Sequence, residues 1–358
     1  LPASRALFLA TLGAARALDL DAAIGNFEPG KEADFMVLDA GASHITARRA
    51  ASAQSLDELL FALICLGDAR SVSATWVGGA LSEVLQGHPG SFSWQVTAEA
   101  TKGTQENIRR LASGELDLAL ANAAITYFAV RGEGRWEEPQ AVQAVMTLAP
   151  NVALFLTPES SGIESLADLA GRRVVIGPAG AGFEYFVGPI LSAHEVSWDD
   201  LSVLHNTQAA AVDMLADGSA AAAFLGGAIP TASITQATST QDIRFVPFAE
   251  HAVQDLVTRY PFFDRVTVPA QTYRGQDEPF FGLNVGSMHL ITGAEQDEEL
   301  IYEITRTLWE VRAEVVERHA AGRAIQPEVV VRDTGVEFHP GAVRYYQEIG
   351  IWPSPAQN

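Results

Sequence analysis

Short apolar runs alternate along this chain with longer stretches whose apolar residues recur at helical spacing, the rhythm of strands and helices taken in turn. Residues 96–123, VTAEATKGTQENIRRLASGELDLALANA, show the complete unit. Val96–Ala100 reads as a short strand, and Thr101, Lys102, Gly103 and Thr104 supply the glycine and hydroxyls that turn a chain and cap a helix. In that helix Ile108, Leu111 and Ala112 fall on one face and Glu106, Arg109 and Arg110 fall outward. Ser113 and Gly114 stop it before an apolar strand over 116–121. A unit of this kind leaves free backbone N–H groups at the helix N-terminus, where an anion is stabilised.

The alternation continues to the C-terminus. Residues 125–130 form an apolar turn or helix, 131–140 a polar surface loop, and 144–157 paired strands meeting at Pro150 and Asn151 on the way to a second lobe. Gly171, Arg172 and Arg173 lead into a strand over 174–176, which opens onto the Gly-rich loop 177–183 and a helix over 185–192. This second strand-to-helix switch is the partner of the first: glycines let the backbone approach a ligand, and the helix N-terminus carries positive partial charge. The glycine spacing differs from the dinucleotide pattern and no acidic ribose ligand stands at a convincing distance, which speaks against a nucleotide. Residues 206–223 give a helix and strand, with 220–225 patterned as a buried parallel strand that ends at Gly226 and Gly227, another strand-to-helix switch. A strand over 241–247 follows, then an extended loop over 261–276 whose Phe262, Phe263 and Tyr273 either close over a cleft or simply pack. Residues 282–292 read as a return strand to the first lobe. A helix over 298–320 places Ile301, Ile304, Leu308, Val311 and Val315 in the core. The fold class is α/β, in two lobes.

The first eighty or so residues follow a pattern of their own. A helix covers 1–18, an extended piece starts at 22–25, Glu28, Pro29, Gly30 and Lys31 form a turn, and a strand runs over 33–39. Arg5 and the apolar run after it fit the start of a signal peptide or an ordinary helix, and Leu1 in place of Met points to a partial or processed chain.

Composition narrows the function. A chain of 358 residues has room for two or three domains. Its net charge of −21, with lysine only at positions 31 and 102, repels nucleic acid and anionic membranes and is compatible with a salt-adapted source. The single cysteine, Cys65, lies in an apolar run and reads as core. None of the 8 histidines stands at the spacing of a local metal-ligand pair, and no apolar run reaches the roughly 18 residues of a membrane span. Neither a metal nor another cofactor is expected.

The segment 96–123 resembles the start of TAXI-family solute receptors, the extracytoplasmic binding proteins of a class of TRAP transporters. LADLAGRRVVIGPAGAGFE (166–184), FLGGAIP (224–230), Tyr260 to Phe263 leading to VPAQTYRGQDE (268–278), residues 300–308 and HPGAVRYYQEIG (339–350) stand in that family's order, so the resemblance covers about 78–358. It implies a two-lobed fold like that of type II periplasmic binding proteins, with lobe 1 at about 81–157 and 284–358 and lobe 2 at about 158–283. It also implies a small carboxylate ligand such as glutamate, 2-oxoglutarate or another dicarboxylate, TRAP membrane subunits as partners, and a periplasmic location. The candidate ligand-binding residues are Gly103, Thr104 and Asn107 at the first helix N-terminus, Asn122 at the end of its strand, the backbone of Gly180, Ala181, Gly182 and Phe183, and Gly226. Relatives carry Ser and Thr where this chain has Ala181 and Phe183, which suggests a smaller or more apolar acid.

FLATLGAARAL and IGNFEPGKEADFMVLD, with residues 55–79, are similar to the C-terminal end of metal-dependent amidohydrolases, guanine deaminases most of all. That resemblance covers 1–80 only, and the family's His-x-His pair is missing, so a remnant without catalytic activity is expected. TWVGGALSEVL (75–85) satisfies both patterns at the join. The receptors' longer Gly-rich loop before their first helix is missing, and residues 71–77 are left to stand in for their first strand.

Overall fold

A computed structural model describes residues 37–38, 72–74, 77–88, 90, 93–99, 101 and 103–353. The helix expected over 1–18, the turn at 28–31, Cys65 and Lys102 lie outside the described residues. Contacts divide the chain into two units, Leu1–Glu83 with Val96–Ala100, and Val84–Gln95 with Thr101–Asn358.

In the first unit, β1 (Val37–Leu38) pairs antiparallel with β2 (Val72–Ala74). The stretch expected to replace the receptors' first strand is therefore paired within the N-terminal segment. Within the expected strand 96–100, the described residues 96–99 form none. Val96 and Thr97 are its only β-branched residues, and Thr97, Ala98 and Glu99 are exposed, so little favours a pleated, half-buried surface. Helix α1 (Val77–Gly87) runs on from the join.

The second unit holds two sheets. A three-stranded sheet has the order β3 (Leu118–Asn122), β12 (Met288–Gly293), β4 (Val142–Thr147), antiparallel throughout. A seven-stranded sheet runs β10 (Phe263–Val268), β11 (Phe280–Val285), β5 (Val152–Pro158), β8 (Ala222–Gly227), β6 (Arg173–Ile176), β7 (Ser202–Leu204), with β9 (Ile243–Val246) sharing the β11 edge of β5. The chain crosses between the sheets at Leu148–Asn151 and returns at Gly286–Ser287. Residues 144–157 are thus not a hairpin: β4 and β5 are each buried almost throughout and take neighbours from different sheets. Residues 282–292 are likewise two strands, broken where Gly286 turns at φ +104.

Alternation along the central strands builds two cores on the larger sheet. Phe155, Val174, Ile176 and Phe224 pack with helices α4 (Glu184–Ala193) and α7 (Glu250–Arg259). Leu154, Leu156, Val175 and Leu225 pack on the other face with α5 (Gln208–Ala216) and α6 (Ala232–Thr240). Strands covered on both faces are apolar at every position, which is why 220–225 carries no polar alternation. β8 is parallel to β6 as expected, but antiparallel to β5.

Against the smaller sheet, helix α2 (Thr104–Ala112) buries Ile108 and Leu111, while Ala112 is exposed rather than inward. Ser113 and Gly114 end the helix as the sequence indicates, with Gly114 at φ +76. Helix α3 (Ala123–Ala129) fills the apolar stretch at 125–130. The segment 261–276 is no open loop, since β10 occupies its first half and Phe262, Phe263 and Tyr273 are buried to 0, 2 and 4% exposure. The long C-terminal helix divides at Val311 into α8 (Glu298–Glu310) and α9 (Arg312–Arg318); Ile301, Ile304, Leu308 and Val315 are buried and Val311 is half-buried. Short α10 (Pro327–Val330) and α11 (Pro340–Glu348) complete the chain.

Candidate functional site

Strand β6 lies between its parallel neighbours β7 and β8, and the chain leaves it through α4 toward β7 and then passes through α5 to β8 on the other side. Successive crossovers therefore diverge at the carboxyl ends of β6 and β8, the crevice where open α/β sheets take ligands. Residues 177–183 and 228–231 line that end.

The loop after β6 turns on Gly177, Gly180 and Gly182, at φ +33, +77 and +89. Ala181 N–H donates to the Pro178 carbonyl at 3.2 Å, and the Tyr185 and Val187 amides close the first turn of α4 on Gly182 and Phe183. Among the described residues, the N–H groups of Gly180, Gly182, Phe183 and Glu184 donate to no protein acceptor. Converging N–H groups at a helix N-terminus concentrate positive potential without a cationic side chain. Phe183 itself turns away from the loop mouth: its ring fills the space left by the missing side chain of Gly177 and packs on Phe186 and Phe224. It offers the site its backbone only.

The N-terminus of α2 stands opposite. Gly103 occupies the cap position at φ 113 and makes no side-chain cap bond to the helix. Gln105 reaches from this turn to the Gly-rich loop, its Nε2 donating to the Gly180 carbonyl at 3.2 Å. The two expected halves of the site, α2 and residues 180–182, are thus brought together. Sequence reasoning passed over Gln105, because nothing in its spacing marks it.

Three expected ligand side chains are committed to the protein. Thr104 Oγ1 accepts from the Asn122 amide at 3.0 Å. Asn122 accepts from the Ala124 and Ile125 amides through Oδ1, capping α3, and donates to the Gly286 carbonyl at 2.8 Å. Asn107 donates to the Leu120 carbonyl at 2.8 Å and leaves a buried Oδ1 without a partner. Gly226 is held by Gln208, which accepts from its N–H at 3.1 Å and donates to its carbonyl at 2.8 Å. A Cβ on Gly226 would stand 2.8 Å from the Val152 carbonyl, so this glycine serves the close approach of β5.

The nearby arginines are also engaged. Arg109 lies over Trp136 and Arg131 over Tyr127, at 4.8 and 3.6 Å from the ring centres, while Arg135 pairs with Glu184 at 3.3 Å. His205 donates through Nδ1–H to the Ile176 and Gly177 carbonyls, at 3.1 and 3.2 Å. Among the described residues no group of three His, Cys, Asp or Glu side chains gathers to hold a metal, and no helix is long and apolar enough to cross a membrane. Two cavities lie elsewhere. One of about 370 Å³ is lined by Glu310, Arg312 and Gln326, and one of about 200 Å³ by Phe248, Arg265 and Phe281.

Residues 71–350 match the NMT1-like family, and residues 1–81 match the amidohydrolase family, so the matches overlap at 71–81. The N-terminal segment is 48% identical over 81 residues to guanine deaminase of Escherichia coli strain K12, covering 23% of this chain and 18% of that enzyme. The chain therefore spans under a fifth of that enzyme's length. Among solved structures, the periplasmic aliphatic sulphonate binding protein SsuA of Escherichia coli is similar at 14% identity and a TM-score of 0.41, over 70% of this chain and 73% of that one. The binding protein component of an ABC phosphonate transporter of Pseudomonas aeruginosa is similar at 11% identity and a TM-score of 0.45, over 68% and 72%.

Proposed function

This chain belongs to the NMT1-like family, and from that premise we propose that residues 81–358 are an extracytoplasmic solute receptor that binds a small anion between two lobes. The single observation that supports it best is the facing pair of helix N-termini, α2 and α4, joined across the crevice by Gln105 and the Gly180 carbonyl. Backbone N–H groups bind an anionic headgroup whatever the net charge of the chain, so an acidic protein and an acidic ligand are compatible. The TAXI resemblance narrows the ligand to a small carboxylate such as glutamate, 2-oxoglutarate or a related dicarboxylate, and the partners to TRAP membrane subunits at the periplasmic face. With Ala181 and the inward Phe183 in place of hydroxyl residues, the smaller and less polar acids of that class fit best. Lobe 1 is assigned to 81–157 and 284–358, and lobe 2 to 158–283.

The N-terminal segment is read as a packing module derived from an amidohydrolase, without catalysis of its own. Its 48% identity to a guanine deaminase over 81 residues makes guanine a necessary control. A thermal-shift screen of the full chain against glutamate, glutamine, 2-oxoglutarate, C4 dicarboxylates and guanine tests both readings. A ligand at 100 times its dissociation constant adds about 2.7 kcal/mol of stability. Stabilisation by a carboxylate is expected; a shift with guanine alone, or with none of the panel, contradicts the receptor reading.

A further inference from the structure

The Gly-rich loop has little of its own to hold it in place. Glycine carries the largest conformational freedom of any residue, and three of the seven positions over 177–183 are glycines with positive φ. Beyond the packing of the Phe183 ring and the His205 bond to the Gly177 carbonyl, what restrains the loop comes from elements that precede β4. Gln105 of α2 donates to the Gly180 carbonyl at 3.2 Å. Ile125 of α3 stands so close that a Cβ on Gly182 would lie 2.7 Å from its Cδ1. One turn further on, Tyr185 enters the core of the smaller sheet with Ile108 and Trp136, its ring 5.4 Å from that of Phe128. Its hydroxyl accepts from the Arg135 amide at 3.2 Å, and a Cβ on Gly134 would meet its ring at 2.6 Å. The first turn of α4 is thus gripped from α2, from α3 and from the 131–140 loop.

We infer that Gln105 and Tyr185 are positioning residues that hold the Gly-rich loop in its binding geometry from across the crevice, acting through the loop rather than by touching the ligand. Gln105 fixes which way the Gly180 peptide faces, and with it the direction of the neighbouring N–H groups. Tyr185 anchors the helix turn from which those groups project. The effect on the loop stands independently of the receptor reading; only the effect on affinity rests on it.

Hydrogen exchange on the full chain, without added ligand, tests the inference. Gln105→Glu keeps the shape and removes the donor, and it is expected to raise exchange about fivefold at the Ala181, Tyr185 and Val187 amides while the melting temperature barely moves. Tyr185→Phe removes the acceptor and is expected to do the same at the Arg135 amide. Gly182→Ala, which drives a methyl group into Ile125, is expected to raise both. Gly171→Ala is the control: it has a similar backbone, φ +75, with nothing within 4 Å of the added carbon, so its effect should stay local. Unchanged exchange in Gln105→Glu and Tyr185→Phe, or an equal rise in the Gly171 control, overturns the inference. With glutamate as the probe, Gln105→Met, which removes the donor without placing a carboxylate beside the proposed anion site, should weaken binding about fivefold through faster dissociation. An unchanged dissociation constant beside a loosened loop refutes the link to affinity, whereas a wild-type chain that binds no member of the panel counts against the receptor reading alone.

Discussion

Acidification from pH 7.5 to about pH 4.5 is expected to remove roughly 2.7 kcal/mol of stability through one side chain, His289. The residue is fully buried in β12, just after the chain returns to the smaller sheet. Its Nε2 lies 2.8 Å from Thr126 Oγ1, and the Thr126 hydroxyl donates to the Asn122 carbonyl at 3.1 Å. The Thr126 oxygen therefore accepts from Nε2–H, which leaves Nδ1 as a bare, buried lone pair without a partner. A proton at Nδ1 would put a charge where nothing receives it, and burial pushes the pKa from 6.5 down to about 3. Since the folded value lies below the unfolded one, the unfolded chain takes the proton first. This stability is complete above pH 6.5 and is lost as the pH falls toward about 3, at about 1.36 kcal/mol per unit. The two units between pH 6.5 and about pH 4.5 give the loss stated. Urea unfolding across that window, on the wild type and on His289→Gln, isolates it, because the glutamine can still donate to Thr126 and does not titrate. The wild type should lose about 2.7 kcal/mol more than the variant. Parallel curves would refute the assignment of a neutral, dry histidine at the crossing.

Other substitutions separate scaffold from site. Thr104→Ala should cost about 1 kcal/mol in chemical unfolding by leaving the Asn122 amide unpaired, and Thr104→Ser should restore it. Asn122→Ala removes the α3 cap and the bond to Gly286 together, and a loss of about 2 kcal/mol in the same assay is expected. At Gly286, φ is +104 and a Cβ would stand 2.6 Å from the Ala124 amide nitrogen, so Gly286→Ala should cost more than about 1 kcal/mol. Gly114→Ala, at φ +76 in open space, should cost about 1 kcal/mol by thermal melting.

What the sequence discloses is faces and switches rather than partners. The strand, Gly-rich loop and helix at 173–193 are legible because a short apolar run, a cluster of glycines and a helical pattern follow one another. The apolar run at 220–225 likewise announces a strand covered on both faces. Pairing is a different matter: β4 and β5 adjoin in sequence yet belong to different sheets, and only the three-dimensional count of neighbours tells them from a hairpin. The same blindness affects side chains. Phe262, Phe263 and Tyr273 carry the composition of a ligand cover and are core, while Gln105 carries no signal and spans the crevice. Thr104 and Asn122 stand where the pattern places them, but their hydrogen bonds join α2, α3 and the sheet crossing to one another. The proposed anion site offers a ligand only backbone N–H groups, which sequence can mark only through its glycines.

The most direct test of that site is residue-resolved amide NMR of the full chain titrated with glutamate or 2-oxoglutarate. Saturable shifts are expected at Gly180, Gly182, Phe183 and Glu184 together with Thr104 and Gln105, at the two facing helix N-termini. Shifts confined to residues lining either of the other two cavities, such as Phe281 or Arg312, would contradict the account.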